Sequence, residues 1–173
     1  MTTTLPTLET SRLRLRPAAP ADAAVIADLC CATEVRLFPW DDECPSEAQV
    51  AELLQVVRRA GAPHGFWLLE PLDGGAAIGV AGLVPPGTAA EADVRLLRTG
   101  HGTEALAAVL TFAFDGAGWQ SVAAAVAVRD DDALRLALRL GFTPMGEVDG
   151  PVDRLRTFRL ERDAFVLADV QPS

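Results

Sequence analysis

The chain contains no tyrosine and no lysine: its fifteen basic residues are all arginine. The missing lysines read as a coding bias of the source, because either cation serves a solvated surface. The missing tyrosines remove any phenol that might donate a proton. Cysteine is scarce too, and Cys30, Cys31 and Cys44 have no paired metal-ligand spacing and no histidine close by. A structural zinc site is therefore not expected, and reduced thiols in a cytoplasmic protein fit best. Met1 to Leu8 offer neither a basic head nor an apolar run, so no secretory signal is read there. No stretch reaches the roughly 18 uninterrupted apolar residues of a membrane span. A formal net charge of -9 argues against a non-specific nucleic-acid binder, which needs a basic face to displace counterions from phosphates. Neither membrane nor nucleic acid is an expected partner. Acidity maintains solubility, and it also attracts cationic substrates over long range.

What is present suits one domain over 1–173 with its own core. The 173 residues are half hydrophobic and 23% charged, the balance of a globular chain rather than a disordered one. Leu13 and Leu15 alternate with Arg12, Arg14 and Arg16, the period-two pattern of a strand with one buried face. Asp22 opens a helix carrying Val25, Ile26, Leu29 and Cys30 and ending near Cys31. Ser46 and Gln49 have capping-box spacing ahead of Val50, Leu53, Leu54 and Val57, a second helix that Gly61 and Pro63 stop.

Strands over 66–70 and 77–83 form a hairpin around Asp73-Gly74-Gly75. A strand over 91–96 precedes a helix over 103–115 with Leu106, Leu110 and Ala113 inward. The valine-alanine run 121–128 reads as a central strand buried on both faces. Asp130 to Asp132 cap a helix whose inner stripe is Leu134, Ala137 and Leu138, with Gly141 at its C-terminus. Strands over 142–148 and 154–160 finish the chain. The order βααβββαβαββ predicts a mixed α/β sheet.

The segment Leu97-Arg98-Thr99-Gly100-His101-Gly102-Thr103 falls between a predicted strand and a predicted helix. Glycine permits close backbone approach to a ligand, and a helix start offers unpaired N–H groups with partial positive charge. A pyrophosphate is the natural guest. The glycine spacing departs from both the dinucleotide fingerprint and the P-loop, so nucleotide hydrolysis is not expected.

Gly100-x-Gly102 followed by Thr103-Glu104-Ala105-Leu106 resembles the loop of the GNAT acetyltransferases, specifically the Rim-type group. Thr10 to Pro17 resembles its opening strand, residues 35–40 the loop between its first two helices, and Arg139-Leu140-Gly141-Phe142 its late helix-to-strand signature. The resemblance implies a mostly antiparallel sheet flanked by helices, with two splayed central parallel strands that hold acetyl-CoA. Backbone groups at Leu96 and Leu97 would meet the pantetheine arm. Arg98, Thr99, Gly100, His101, Gly102 and Thr103 would cradle the pyrophosphate. It also implies an amine acceptor, on a small molecule or a protein N-terminus, and a monomer or homodimer.

Three positions depart from the family pattern. Leu97 replaces a glutamine or arginine at the start of the loop, with Arg98 beside it. The family's Asn-x-x-Ser falls on Asp130 and Ala133, which puts Asp130 at the cofactor and removes the serine that commonly protonates the leaving thiolate. Slow transfer is expected, and a catalytically reduced acyl-CoA-binding module is the alternative. A ligand-free interaction domain follows if Leu97 has abolished cofactor binding.

For the base that takes the amine's proton, Glu91 and Asp93 are the candidates, placed on one side of the predicted strand by period two. His101 is expected to point away from the ligand while its N–H faces phosphate, and His64 has no expected role. Trp40 lines the acceptor mouth or anchors its loop, and Asp41, Asp42 and Glu43 are expected to draw in a cationic amine.

Overall fold

A computed structural model describes residues 4–32, 44–86, 90–97, 101–150 and 153–165. Trp40, Asp41, Asp42, Glu43, Arg98, Thr99 and Gly100 lie outside these described residues. Leu8–Glu9 (β1), which no pattern predicts, precedes Leu13–Pro17 (β2), where Leu13 and Leu15 are fully buried. The register sets Leu8 across from Leu15 and Glu9 across from Arg14. The apolar pair therefore faces inward, and an ion pair of 3.1 Å forms on the outer face.

Ala23–Ala32 (α1) turns Ile26 and Cys30 inward together with Ala23 and Ala27, whereas Val25 is exposed. Glu47–Ala60 (α2) starts on the capping box its sequence predicts. The Gln49 amide donates to Ser46 Oγ at 3.2 Å, and the Ser46 amide donates to Gln49 Oε1 at 2.8 Å. Gly65–Pro71 (β3) and Gly79–Val84 (β4) form the expected antiparallel hairpin, with Gly74 and Gly75 at positive φ in its turn.

Asp93–Leu97 (β5) begins two residues later than its pattern suggests. Gly102–Thr111 (α3) follows, with Leu106 and Leu110 buried as expected. Its continuation, Phe112–Gly116, is a turn of π-helix rather than α-helix. The Ala117 amide reaches back five residues to the Phe112 carbonyl, and the Phe112 ring fills the space a Cβ on Gly116 would need.

Ser121–Ala127 (β6), Asp131–Arg139 (α4), Thr143–Asp149 (β7) and Arg154–Glu161 (β8) complete the order. The eight strands form one sheet, β1-β2-β3-β4-β5-β6-β8-β7, in which β5 and β6 are parallel and the other neighbours antiparallel. One face packs on α1 and α2 through Ile26, Val50, Phe66, Leu68 and Val80. The opposite face packs on α3 and α4 through Trp67, Leu83, Leu110 and Leu140.

Two inward-facing expectations need correction. Leu138 is 55% exposed, and the buried stripe of α4 is Leu136, Ala137 and Leu140 with Ala133 partly covered. A cap at Asp130 fixes the helix phase, and the sheet meets a stripe rotated by about one residue from the expected one. β6 is not buried on both faces throughout, because Ala124, Ala125 and Ala127 are only half-buried. Among the described residues, no helix is long and apolar enough to cross a membrane.

Candidate active site

β5 and β6 meet at one register pair, Asp93 with Ala123. Just before it, the Glu91 amide donates to the Ser121 carbonyl at 3.2 Å and the Ala123 amide to the Ala92 carbonyl at 2.9 Å. Beyond it each strand follows its outer neighbour. β5 stays paired to β4 as far as Leu97 with Val80, and β6 to β8 as far as Ala127 with Leu155. The two strands therefore part like a fork. Their inner edges, 94–97 and 124–127, have no strand partner among the described residues. Backbone groups left this way need hydrogen-bond partners, and an extended ligand can supply them as an added strand would.

The fork opens into a cleft that is continuous with solvent. Val94 and Ala124 to Val126 line it from the strands, Leu106 from α3, and Ala133, Leu136 and Ala137 from α4. Among the described residues that line it, four of ten are alanine, which keeps the gap wide, and Asp130 is the one with a charge. Phe142 closes the floor. It is placed there by the end of α4, where Gly141 at φ 101 lets the Gly141 amide reach the Leu138 carbonyl and the Phe142 amide the Ala137 carbonyl. That is a Schellman ending, and it explains the sequence Arg139-Leu140-Gly141-Phe142. Asp130 caps the other end of α4, its Oδ1 accepting from the Ala133 amide at 3.0 Å.

At the start of α3, His101 adopts a left-handed conformation (φ 53) and makes no side-chain cap. The first amides of a helix have no intrahelical acceptor, so those of Gly102, Thr103 and Glu104 suit an anion. His101 departs from its expected outward orientation: it is half-buried, and its Nδ1 is shielded with no hydrogen-bond partner among the described residues. Thr103 is buried within the helix start.

Glu104, named within the loop motif but given no role from the sequence, is buried. Its carboxylate accepts from Thr10 Oγ1, from Ser11 Oγ at 3.2 Å, and from Arg12 through the amide at 2.9 Å and Nε at 2.8 Å. Burial pushes this carboxyl up, but the hydrogen bonds from Thr10 and Arg12 outweigh it and hold the group below its ordinary range. Thr10-Ser11-Arg12 was visible as part of a motif, yet nothing local marked its partner.

The structure separates the two candidate bases. Glu91 is not on the strand: it lies just before β5, exposed, on the closed side of the fork. Its carboxylate accepts from the amides of Gln120 and, at 3.3 Å, Ser121, while its carbonyl accepts from His64 Nε2 at 3.2 Å. His64 also packs on Trp119, so both it and Glu91 tie down the hinge of the fork. Asp93, half-buried, stands at the point where the strands part.

The acetyltransferase (GNAT) domain family matches residues 12–143 of this sequence. The chain belongs to the GNAT acetyltransferase family. The GNAT fold is shared with a protein described as a GNAT-family acetyltransferase from Bordetella pertussis, at 23% identity and a TM-score of 0.75 over 89% of this chain and 98% of the other. The ribosomal-protein-S5-alanine acetyltransferase of Vibrio fischeri is similar at 15% identity and TM-score 0.72, over 93% and 99% of the two chains. A variant of the spermidine N-acetyltransferase of Vibrio cholerae is similar at 17% and 0.69, over 91% and 98%. No curated protein sequence matches this GNAT chain.

Proposed function

We propose that this chain is an acetyl-CoA-dependent N-acetyltransferase of the Rim-type group, working as one domain over 1–173 in the cytoplasm. The parting of β5 and β6 beyond Asp93 and Ala123 carries the proposal. A fork with two unpaired backbone edges and apolar walls suits an arm built from amides and methylenes. The inner edge at Leu96 and Leu97 would bind the pantetheine amides. The amides of Gly102, Thr103 and Glu104, with Arg98, Thr99, Gly100 and His101 preceding them, would hold the pyrophosphate. Asp130 would border the same arm from the start of α4. When bound, the cofactor supplies an acetyl group activated as a thioester.

Asp93 is the proposed base, because it stands at the fork and Glu91 is engaged with backbone amides on the closed side. A carboxylate there takes the proton an ammonium must lose before it attacks. No hydroxyl stands at Ala133, and Asp130 spends Oδ1 on the Ala133 amide, so the proton needed on the departing side comes from water. A thiolate is a fair leaving group, which makes this tolerable. The acceleration then comes mainly from holding the reactants together.

The acceptor is a primary amine on a small molecule or a protein N-terminus. One structural neighbour is named for an alanine of a ribosomal protein and another for spermidine, and both names point to amino groups. The acidic chain favours a cationic amine of either kind. The test is thiol release from acetyl-CoA across an amine panel, beside calorimetric titration with coenzyme A. Binding with release for at least one amine supports the enzyme. Binding without release supports an acyl-CoA-binding module, the reading that Ala133 in the cleft wall favours.

A further inference from the structure

We infer that Arg12 and Glu104 are positioning residues whose opposite charges cancel beside the start of α3, which keeps that helix end able to accept a polyanion. The inference rests on the proposed binding of coenzyme A pyrophosphate at the first amides of α3.

Glu104 is the third residue of that helix and only 8% exposed. A carboxylate in a first helical turn normally serves the helix, by facing its partial positive charge or by bonding back to the N-cap amide. Glu104 bonds to another segment instead. Its hydrogen bonds run to Thr10, Ser11 and Arg12, more than ninety residues earlier in the chain. The arrangement has two effects. It leaves the first amides of α3 to a ligand, and it puts a buried negative charge in the first turn of the helix that would receive a second one. Like charges a few ångströms apart in poorly solvated surroundings repel strongly.

Arg12 Nε, 2.8 Å from Glu104 Oε2, offsets that charge. It is the one cation paired with Glu104 among the described residues. Thr10, Ser11 and the Arg12 amide hold the carboxylate in place without bringing charge. Position and charge are thus supplied by different groups and can be separated by mutation.

The experiment is calorimetric titration of coenzyme A into wild type, Arg12→Gln, Glu104→Gln and the double variant, with Tm recorded for each. Arg12→Gln leaves Glu104 uncompensated and is expected to weaken binding about tenfold, the scale of one charge at a helix end. Glu104→Gln keeps the backbone amide and should bind at least as tightly as wild type. The double variant should return to within about threefold of wild type, because the charge and its counter-charge leave together. A brace with a purely structural role gives the opposite pattern, with all three variants weaker in step with their loss of Tm, and that would overturn the inference. So would a double variant as weak as Arg12→Gln, which would make Arg12 a direct ligand of the phosphate. If Arg12→Gln does not fold, Arg12→Lys takes its place. It keeps the charge without the fork and should bind like wild type, and a folded Glu104→Gln that binds more weakly still overturns the assignment. Failure of wild type to bind coenzyme A would instead overturn the proposed function, and this inference with it.

Discussion

The amide of Phe142 donates to the carbonyl of Ala137 at 3.0 Å, and both residues line the cleft between the parted strands. The hydrogen bond that ends α4 therefore also sets the floor of the candidate site. Stability and the shape of the cleft meet at this turn.

Gly141, one residue before Phe142, has φ 101, and a Cβ there would lie 2.2 Å from the Ala164 carbonyl oxygen. Gly141→Ala should cost about 1–3 kcal/mol from backbone strain, with the clash adding to it. A lower urea midpoint at unchanged m would register the loss. Coenzyme A affinity should fall as well, because Phe142 moves with the turn. An unchanged midpoint would contradict the Schellman ending.

Asp93 and Glu91 should respond differently to neutralisation. Asp93→Asn is expected to lower kcat/KM about 100-fold to 10,000-fold, the range for loss of a positioned base. Glu91→Gln removes a carboxylate that accepts from the Gln120 and Ser121 amides, so it should lower Tm and leave the pH profile of turnover in place. Equal effects on turnover would refute the assignment of separate roles.

Glu104 should make folding stability sensitive to acid. Its folded-state carboxyl lies below the ordinary value of 4.5, so its contribution is fully present above that pH and is lost as pH falls through the lower folded value. The stability gap between wild type and Glu104→Gln should therefore be constant near neutrality and shrink steadily below about pH 4.5. Denaturant titrations from pH 7 to pH 3 measure it. A gap that grows in acid would have the wrong sign.

Turnover should rise toward alkaline pH, because the amine must lose its proton and no side chain at Ala133 supplies one to the departing thiol. Ala133→Ser adds one hydroxyl in the cleft wall, three residues after the cap at Asp130, and should scarcely alter folding. It should raise kcat where departure of the thiol limits the rate. A bell-shaped wild-type profile whose alkaline limb persists in the variant would reveal a different acid.

Local physics made much of this protein legible in one dimension. Alternation of leucine with arginine fixes β2, Ser46 and Gln49 cap α2, and Gly141 ends α4, since each depends on residues within a few positions of one another. The glycine spacing after β5 likewise marks a helix start. Other features depend on how distant segments meet. The sheet selects a stripe of α4 that leaves Leu138 in solvent, and Glu91 falls on the closed side of the fork instead of lining it. Glu104 finds its partners more than ninety residues away. The run of alanines in β6 reads as burial on both faces until the strand parts from β5. Outer hydrogen bonds to β4 and β8 pull the two strands in different directions, and small side chains leave the resulting gap open. Sequence by itself determined the elements and their ends, because those energies are short-ranged. Only the tertiary structure decided which backbone edges remain unpaired and which carboxylate stands beside them, because both depend on strands whose partners lie far along the chain.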